Sequence, residues 1–154
     1  MARTSAGLLL YRRVHNAVEV LLVHPGGPFW AKKDDGAWSI PKGEFEAPED
    51  PLAAALREFA EETGATLNGP FDALRPVRQS GGKVVYAFAV EGDLDADTVE
   101  SNMFTMEWPP RSGRQASFPE IDRAAWFGIV EAQAKMLKGQ LPLLDELMTD
   151  VLAD

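Results

Sequence analysis

One segment of this 154-residue chain carries its own start and stop signals. Asp50 is an N-cap residue type, whose short carboxylate accepts from the free N–H groups of a first helical turn. Pro51 follows at the first helical position, where a missing N–H costs nothing. Gly64 stands where a left-handed residue closes a helix. Between them Leu52, Leu56 and Phe59 recur at i, i+4 and i+7, so the spacing predicts a helix over 50–63. At about 100° per residue, Glu58, Glu61 and Glu62 fall at i, i+3 and i+4 and share one face. Ala54 and Ala55 are expected on that acidic face, one turn earlier, leaving room above it. Leu52, Leu56 and Phe59 are expected to form the opposite, core-facing side.

A solvated acidic face is the plain explanation for three such glutamates, since like charges at this spacing cost only roughly 0.2–0.5 kcal/mol per pair. Two features favour a ligand site. The small alanines leave space beside the carboxylates. The preceding run, Trp38-Ser39-Ile40-Pro41-Lys42-Gly43-Glu44, brings backbone and a cation to the start of the helix. Three convergent carboxylates are hard oxygen ligands suited to Mg²⁺ or Mn²⁺. An ion held there opens a route to phosphoryl hydrolysis by a metal-activated water.

The rest of the chain reads as strands, then the helix, then strands and closing helices. Ala6–Tyr11 and Val18–His24 are apolar, β-rich runs, joined through His15-Asn16-Ala17. Pro25-Gly26-Gly27-Pro28 breaks the chain and opens a loop over Phe29–Gly36. Ala37–Ile40 is a short extended piece. Further strands are expected over 71–77, 84–90, 101–108 and 124–127, with Pro109–Arg114 as a loop. Two helices are expected over 128–137 and 143–152, broken by Gly139 and Pro142. This order predicts an α/β (α+β) sandwich in one domain covering 1–154. The Leu8-Leu9-Leu10 run that follows Met1–Gly7 is too short for a signal core or a membrane span and reads as a buried strand.

Composition narrows the chemistry. There is no cysteine, which excludes disulfides, thiolate zinc and a cysteine nucleophile and suits a reducing cytoplasm. The net charge of −9 opposes non-specific binding to nucleic acid or to anionic membranes. Phosphates are still accessible to such a chain if a divalent cation stands between.

Gly43, Glu49, Arg57, Glu58, Glu61, Glu62 and Gly64 together resemble the Nudix box, Gly-x5-Glu-x7-Arg-Glu-U-x-Glu-Glu-x-Gly-U, where U is a bulky aliphatic residue. The box runs from Gly43 to Ala65, with Phe59 and Ala65 as atypical residues at the U positions. The resemblance implies a Nudix fold, a mixed sheet sandwiched between helices. It implies a Mg²⁺-dependent pyrophosphohydrolase, with Mn²⁺ as a substitute ion, acting on a nucleoside diphosphate linked to a further group. It assigns the metal to Glu58, Glu61 and Glu62, one of them a potential base, with a backbone carbonyl from Lys42 or Gly43. Arg57 would hold a carboxylate in place, and Glu49 would be structural.

Outside the box, Glu120 is the candidate for one more catalytic carboxylate, ahead of Glu107 and Glu91. The Trp-x-x-Pro-Lys-Gly run resembles that of dinucleoside polyphosphate and nucleoside triphosphate hydrolases, which makes Lys42 a candidate phosphate ligand. Arg111 and Arg114 are candidates for the same task, ahead of Lys32 and Lys33. Trp38, with Trp30, Tyr86 and Phe104, is a candidate for stacking on a base. The expected substrate is therefore a small-molecule nucleoside polyphosphate. A sugar nucleotide is the nearest alternative, and a non-catalytic nucleotide-binding module the alternative of another class.

Overall fold

The structure, a computed structural model, describes residues 3–152; Met1, Ala2, Ala153 and Asp154 of the expected 1–154 domain lie outside the described residues. Strands β1 (Thr4–Val14) and β2 (Ala17–Pro25) form a hairpin. His15 and Asn16, at φ 50° and 67°, make its two-residue turn, the left-handed geometry that matches strand twist. There follow β3 (Lys42–Glu44), α1 (Pro51–Thr63), β4 (Asp72–Ala73), β5 (Val77–Arg78), β6 (Val84–Glu91), β7 (Met103–Glu107), β8 (Gln115–Pro119), β9 (Ile121–Gly128), α2 (Ile129–Lys135) and α3 (Leu141–Glu146). The main sheet runs β4-β6-β1-β2-β9, with β3 added to β1 and β5 to β6. Only β1 and β6 are parallel, so the sheet is mixed.

Leu8, Leu9, Leu10, Leu21 and Leu22 are all fully buried. A continuous apolar strand is the mark of a sheet covered on both faces. Ala6, Leu8, Leu10 and Leu21 pack with Ala54, Ala55 and Phe59 of α1. Leu9, Tyr11, Val20 and Leu22 pack on the other side with Ala132 of α2 and Leu143 and Leu144 of α3. The result is the expected mixed sheet between helices. No helix among the described residues is long and apolar enough to cross a membrane.

Four expectations are corrected. Ala54 and Ala55 leave no room for a ligand. They are fully buried and let α1 close onto the small and branched side chains of β1. Leu52 and Leu56 are only half-buried while Glu62 is buried, so apolar and acidic faces are not opposed. The expected strand over 71–77 is two short pieces, because Pro76 has no N–H for the ladder. Pro142 lies in the first turn of α3 and begins that helix instead of breaking it; a π-helical turn, Leu147–Val151, continues it. In addition, β8 pairs with β7 as a separate hairpin where no second strand was expected.

Candidate active site

α1 is capped as its sequence requires. The Asp50 carboxylate accepts from the Ala53 N–H at 3.1 Å, and Gly64 closes the helix at φ 76°. This sets the register that aims Glu58 and Glu62 toward β3. The Trp38–Lys42 run is tied on both sides. Ser39 exchanges backbone bonds with Val23 at 2.8 and 3.0 Å, Trp38 accepts from Leu137, and Leu8 donates to the Pro41 carbonyl. The fully buried Gln140 side chain accepts from the Ile40 N–H at 3.0 Å and donates to Ser39 Oγ and Gln79 Oε1, both at 2.9 Å. Gly7 lets Pro41 and Lys42 pass directly over β1, since a Cβ there would lie 2.7 Å from the Lys42 Cβ.

Arg57 organises the acids. It donates to both oxygens of Glu49 at 2.9 Å and to Glu58 Oε1 at 2.9 Å, while Glu61 stands farther off at 3.7 Å. Bidentate guanidinium–carboxylate pairing of this kind fixes geometry as well as charge. Arg57 holds the Glu49 carboxyl below its usual range. Glu58 lies against Gly43, where any side chain would occupy the space of its carboxylate. Burial, offset in part by Arg57, raises the Glu58 pKa.

Glu62 is the most perturbed of the three. Burial, then the charges of Glu58 and Glu120, push its pKa up to about 8. Its Oε2 is buried with no hydrogen-bond donor. Burial also brings Lys42 down to about 8, helped by the neighbouring Lys83. Lys42, Glu62 and Glu120 share one cavity of about 280 Å³ with Trp30, Ser39, Ile40, Ile121 and Leu137. The β8–β9 junction carrying Glu120 is pinned by Gly26 N–H donating to the Glu120 carbonyl and Glu120 N–H donating to Asn102, both at 2.9 Å.

Sequence candidates therefore divide. Glu58, Glu62, Glu120, Lys42 and Gly43 meet at or beside the cavity, and Glu61 is on its exposed side, paired loosely with Arg57. Trp30 lines the cavity wall. Trp38 does not: it is only 4% exposed, packed edge-on to His24 and Phe127, with its indole N–H on Asp34. Phe104 packs on Phe118 and Tyr86 on Phe45. Arg111 and Arg114 are exposed in the β7–β8 connection and line no part of this cavity. Lys83 was missed by sequence reasoning. A cation directly after Gly81-Gly82 and ahead of an apolar strand was its only signal.

Among the described residues no three Asp, Glu or His side chains already converge as an ion-binding group. The donor set nevertheless fits a divalent cation. A buried carboxylate oxygen without a donor, beside further carboxylates that raise its pKa, is satisfied by a hard ion better than by any neighbour it has.

A helix-borne acid cluster held by one arginine beside a glycine, on a mixed sheet between helices, suits a divalent ion and the phosphates such an ion binds. The comparisons make this specific: the model of the NUDIX domain matches residues 1–147, so the chain belongs to that family, and membership supports pyrophosphohydrolase activity in general. Similar solved structures include the NUDIX domain of Shewanella oneidensis NrtR complexed with ADP ribose, at TM-score 0.67 and 16% identity, covering 98% of this chain and 89% of that one. A C. elegans Ap4A hydrolase binary complex gives TM-score 0.64 and 20% identity over 99% and 98%. A mutT/nudix family protein from Listeria innocua gives 0.64 and 16% over 97% and 94%. At these identities the structures speak for the fold alone.

Proposed function

We propose that residues 1–154 act as one catalytic domain that hydrolyses a diphosphate linkage in a nucleoside polyphosphate, a dinucleoside polyphosphate or a nucleoside triphosphate, with Mg²⁺. One observation carries the reading: a half-buried lysine, Lys42, shares one cavity with the buried Glu62, the loop acid Glu120 and Trp30. Glu58, Glu61 and Glu62, with a carbonyl of Lys42 or Gly43, would hold the ion. A bound divalent ion supplies charge neutralisation and polarisation at the phosphate oxygens. Lys42 and Lys83 neutralise phosphate charge at the other side. Arg57 keeps Glu58 in place and offsets part of the effect of burial on its carboxyl. Glu120, exposed at the cavity mouth, accepts a proton from the attacking water. Trp30 offers a flat face to a base. The Ap4A named for the C. elegans hydrolase supports the dinucleoside class. The ADP ribose in the Shewanella domain favours a second reading, a nucleoside diphosphate sugar.

The test is a phosphate-release screen with Mg²⁺ or Mn²⁺ and coupled pyrophosphatase over triphosphates, dinucleoside polyphosphates and sugar nucleotides. A phosphatase added to the last two exposes monoesters. Turnover on one class, abolished by chelator and cut at least about 100-fold in Glu62→Gln, is expected. No turnover with either metal would overturn the hydrolase reading in favour of a binding module.

A further inference from the structure

His24 stands between Val23 and Pro25, both of which line the cavity. It is fully buried near the end of β2. Its Nε2 meets the Lys33 carbonyl at 2.6 Å and its Nδ1 meets Asp122 Oδ1 at 2.8 Å. A carbonyl only accepts, so Nε2 carries a proton. Asp122 takes the other ring nitrogen, so both nitrogens of the buried ring are partnered. Lys33 belongs to the turn that carries Trp30: its N–H donates to the Trp30 carbonyl at 3.0 Å, and its ammonium lies 5.1 Å from the Trp30 ring centre. Asp122 stands two residues after Glu120 and next to Ile121, both on the cavity wall. The strand register slips between His24 and Pro25, so the loop leaves β2 at this point.

The other charges around the ring are accounted for. Arg123 of β9 lies 3.8 Å from Asp122 and sits over Trp38. Asp34 is taken by Trp38 Nε1 and Lys135. Those bonds, with Gly36 N–H on Ala134, fasten the far end of the loop independently. The Trp30 end has the His24 bridge, beside the Gly26 N–H bond to the Glu120 carbonyl and the edge-on contact of Phe29 with Trp108.

We propose that His24 is a positioning residue: by joining the Lys33 carbonyl to the Asp122 carboxylate, it holds the Trp30 wall and the Glu120–Ile121 wall of the substrate cavity at a fixed separation. The kinetic consequence rests on the function proposed above; the bridge itself does not. The two are therefore tested separately.

The chain has two histidines, so ¹⁵N spectra of the imidazoles, assigned with His15→Asn, read His24 in the unmodified protein. One slowly exchanging Nε2–H is expected, and a ring whose Nε2 carries no proton would overturn the bond to the Lys33 carbonyl. Asp122→Asn should keep the bridge, with the Nε2–H still on the Lys33 carbonyl and the amide donating to Nδ1. His24→Ala should speed amide exchange over residues 26–33 by about tenfold or more while 34–42 stays protected. Asp122→Asn should not. With Mg²⁺ and diadenosine tetraphosphate or ATP, His24→Ala should raise KM about tenfold, the worth of one charged hydrogen bond, with kcat changed far less. Unchanged exchange in His24→Ala, or equal damage from Asp122→Asn, would overturn the bridge. If neither nucleotide is turned over by the parent protein, the substrate reading fails while the spectra and exchange still decide the bridge.

Discussion

Gly43 is bare because the Glu58 carboxylate occupies the place of a side chain. A Cβ there would displace the end of a flexible glutamate and no backbone. Gly43→Ala should therefore lower the thermal midpoint little, by the equivalent of about 1 kcal/mol, yet remove most turnover. Comparing kcat with the melting midpoint checks this, and a midpoint collapse with retained specific activity would contradict it. At this scale the sequence was informative where a residue type has one use at one spacing. The shared face of Glu58, Glu61 and Glu62 was legible from their spacing, whereas the clasp by Arg57 was implied only by the resemblance to the Nudix box. Trp38 and Trp30 were not separable, because two tryptophans eight positions apart differ only in what surrounds them: one is walled in by His24 and Phe127, the other borders the cavity. Lys83 was invisible because its partner, Lys42, is far away in sequence.

The elements around the cavity depend on one buried amide. Gln140 joins the turn before α3 to Ser39 and Ile40 of the Trp38–Lys42 run and to Gln79. Gln140→Ala strands the Ile40 N–H and leaves a hole, so it should cost about 3 kcal/mol in denaturant unfolding. A loss below about 1 kcal/mol would mean that water replaces the amide. Helix α1 was readable to the residue, since Asp50, Pro51 and Gly64 are local signals. Its packing was not, because a helical wheel says which residues share a face but not which face meets a sheet. Ala54 and Ala55 looked like clearance and are contact. The β7–β8 hairpin escaped for a related reason: Gln115–Pro119 alternates weakly, and only its pairing with Met103–Glu107 makes it a strand.

Across the whole molecule, the buried Glu62 and the half-buried Lys42 pull stability in opposite directions. Between the ordinary glutamate value of 4.5 and about 8, folded Glu62 keeps a proton that the unfolded chain has released, so rising pH favours unfolding. Between about 8 and 10.5 the unfolded chain keeps a Lys42 proton that the folded one lacks, so rising pH favours folding. These two groups place a stability minimum near pH 8 in metal-free buffer. Glu62→Gln should lose the falling limb, be more stable than the parent at pH 8, and gain less from Mg²⁺; equal melting curves for the two proteins across pH 5–8 would refute this. The sandwich architecture was legible from the alternation of elements, whereas the strand order was not, because it pairs segments distant along the chain. That order has a consequence for biosynthesis. β1 needs residues 84–91 as its parallel neighbour, and β2 needs 121–128. At about 5–20 residues per second on the ribosome, β2 waits on the order of 5–20 s for its outer partner. During translation the nascent chain carries two long oily edges open to other chains, and the acid-bearing helix is made before the surface on which it rests is complete.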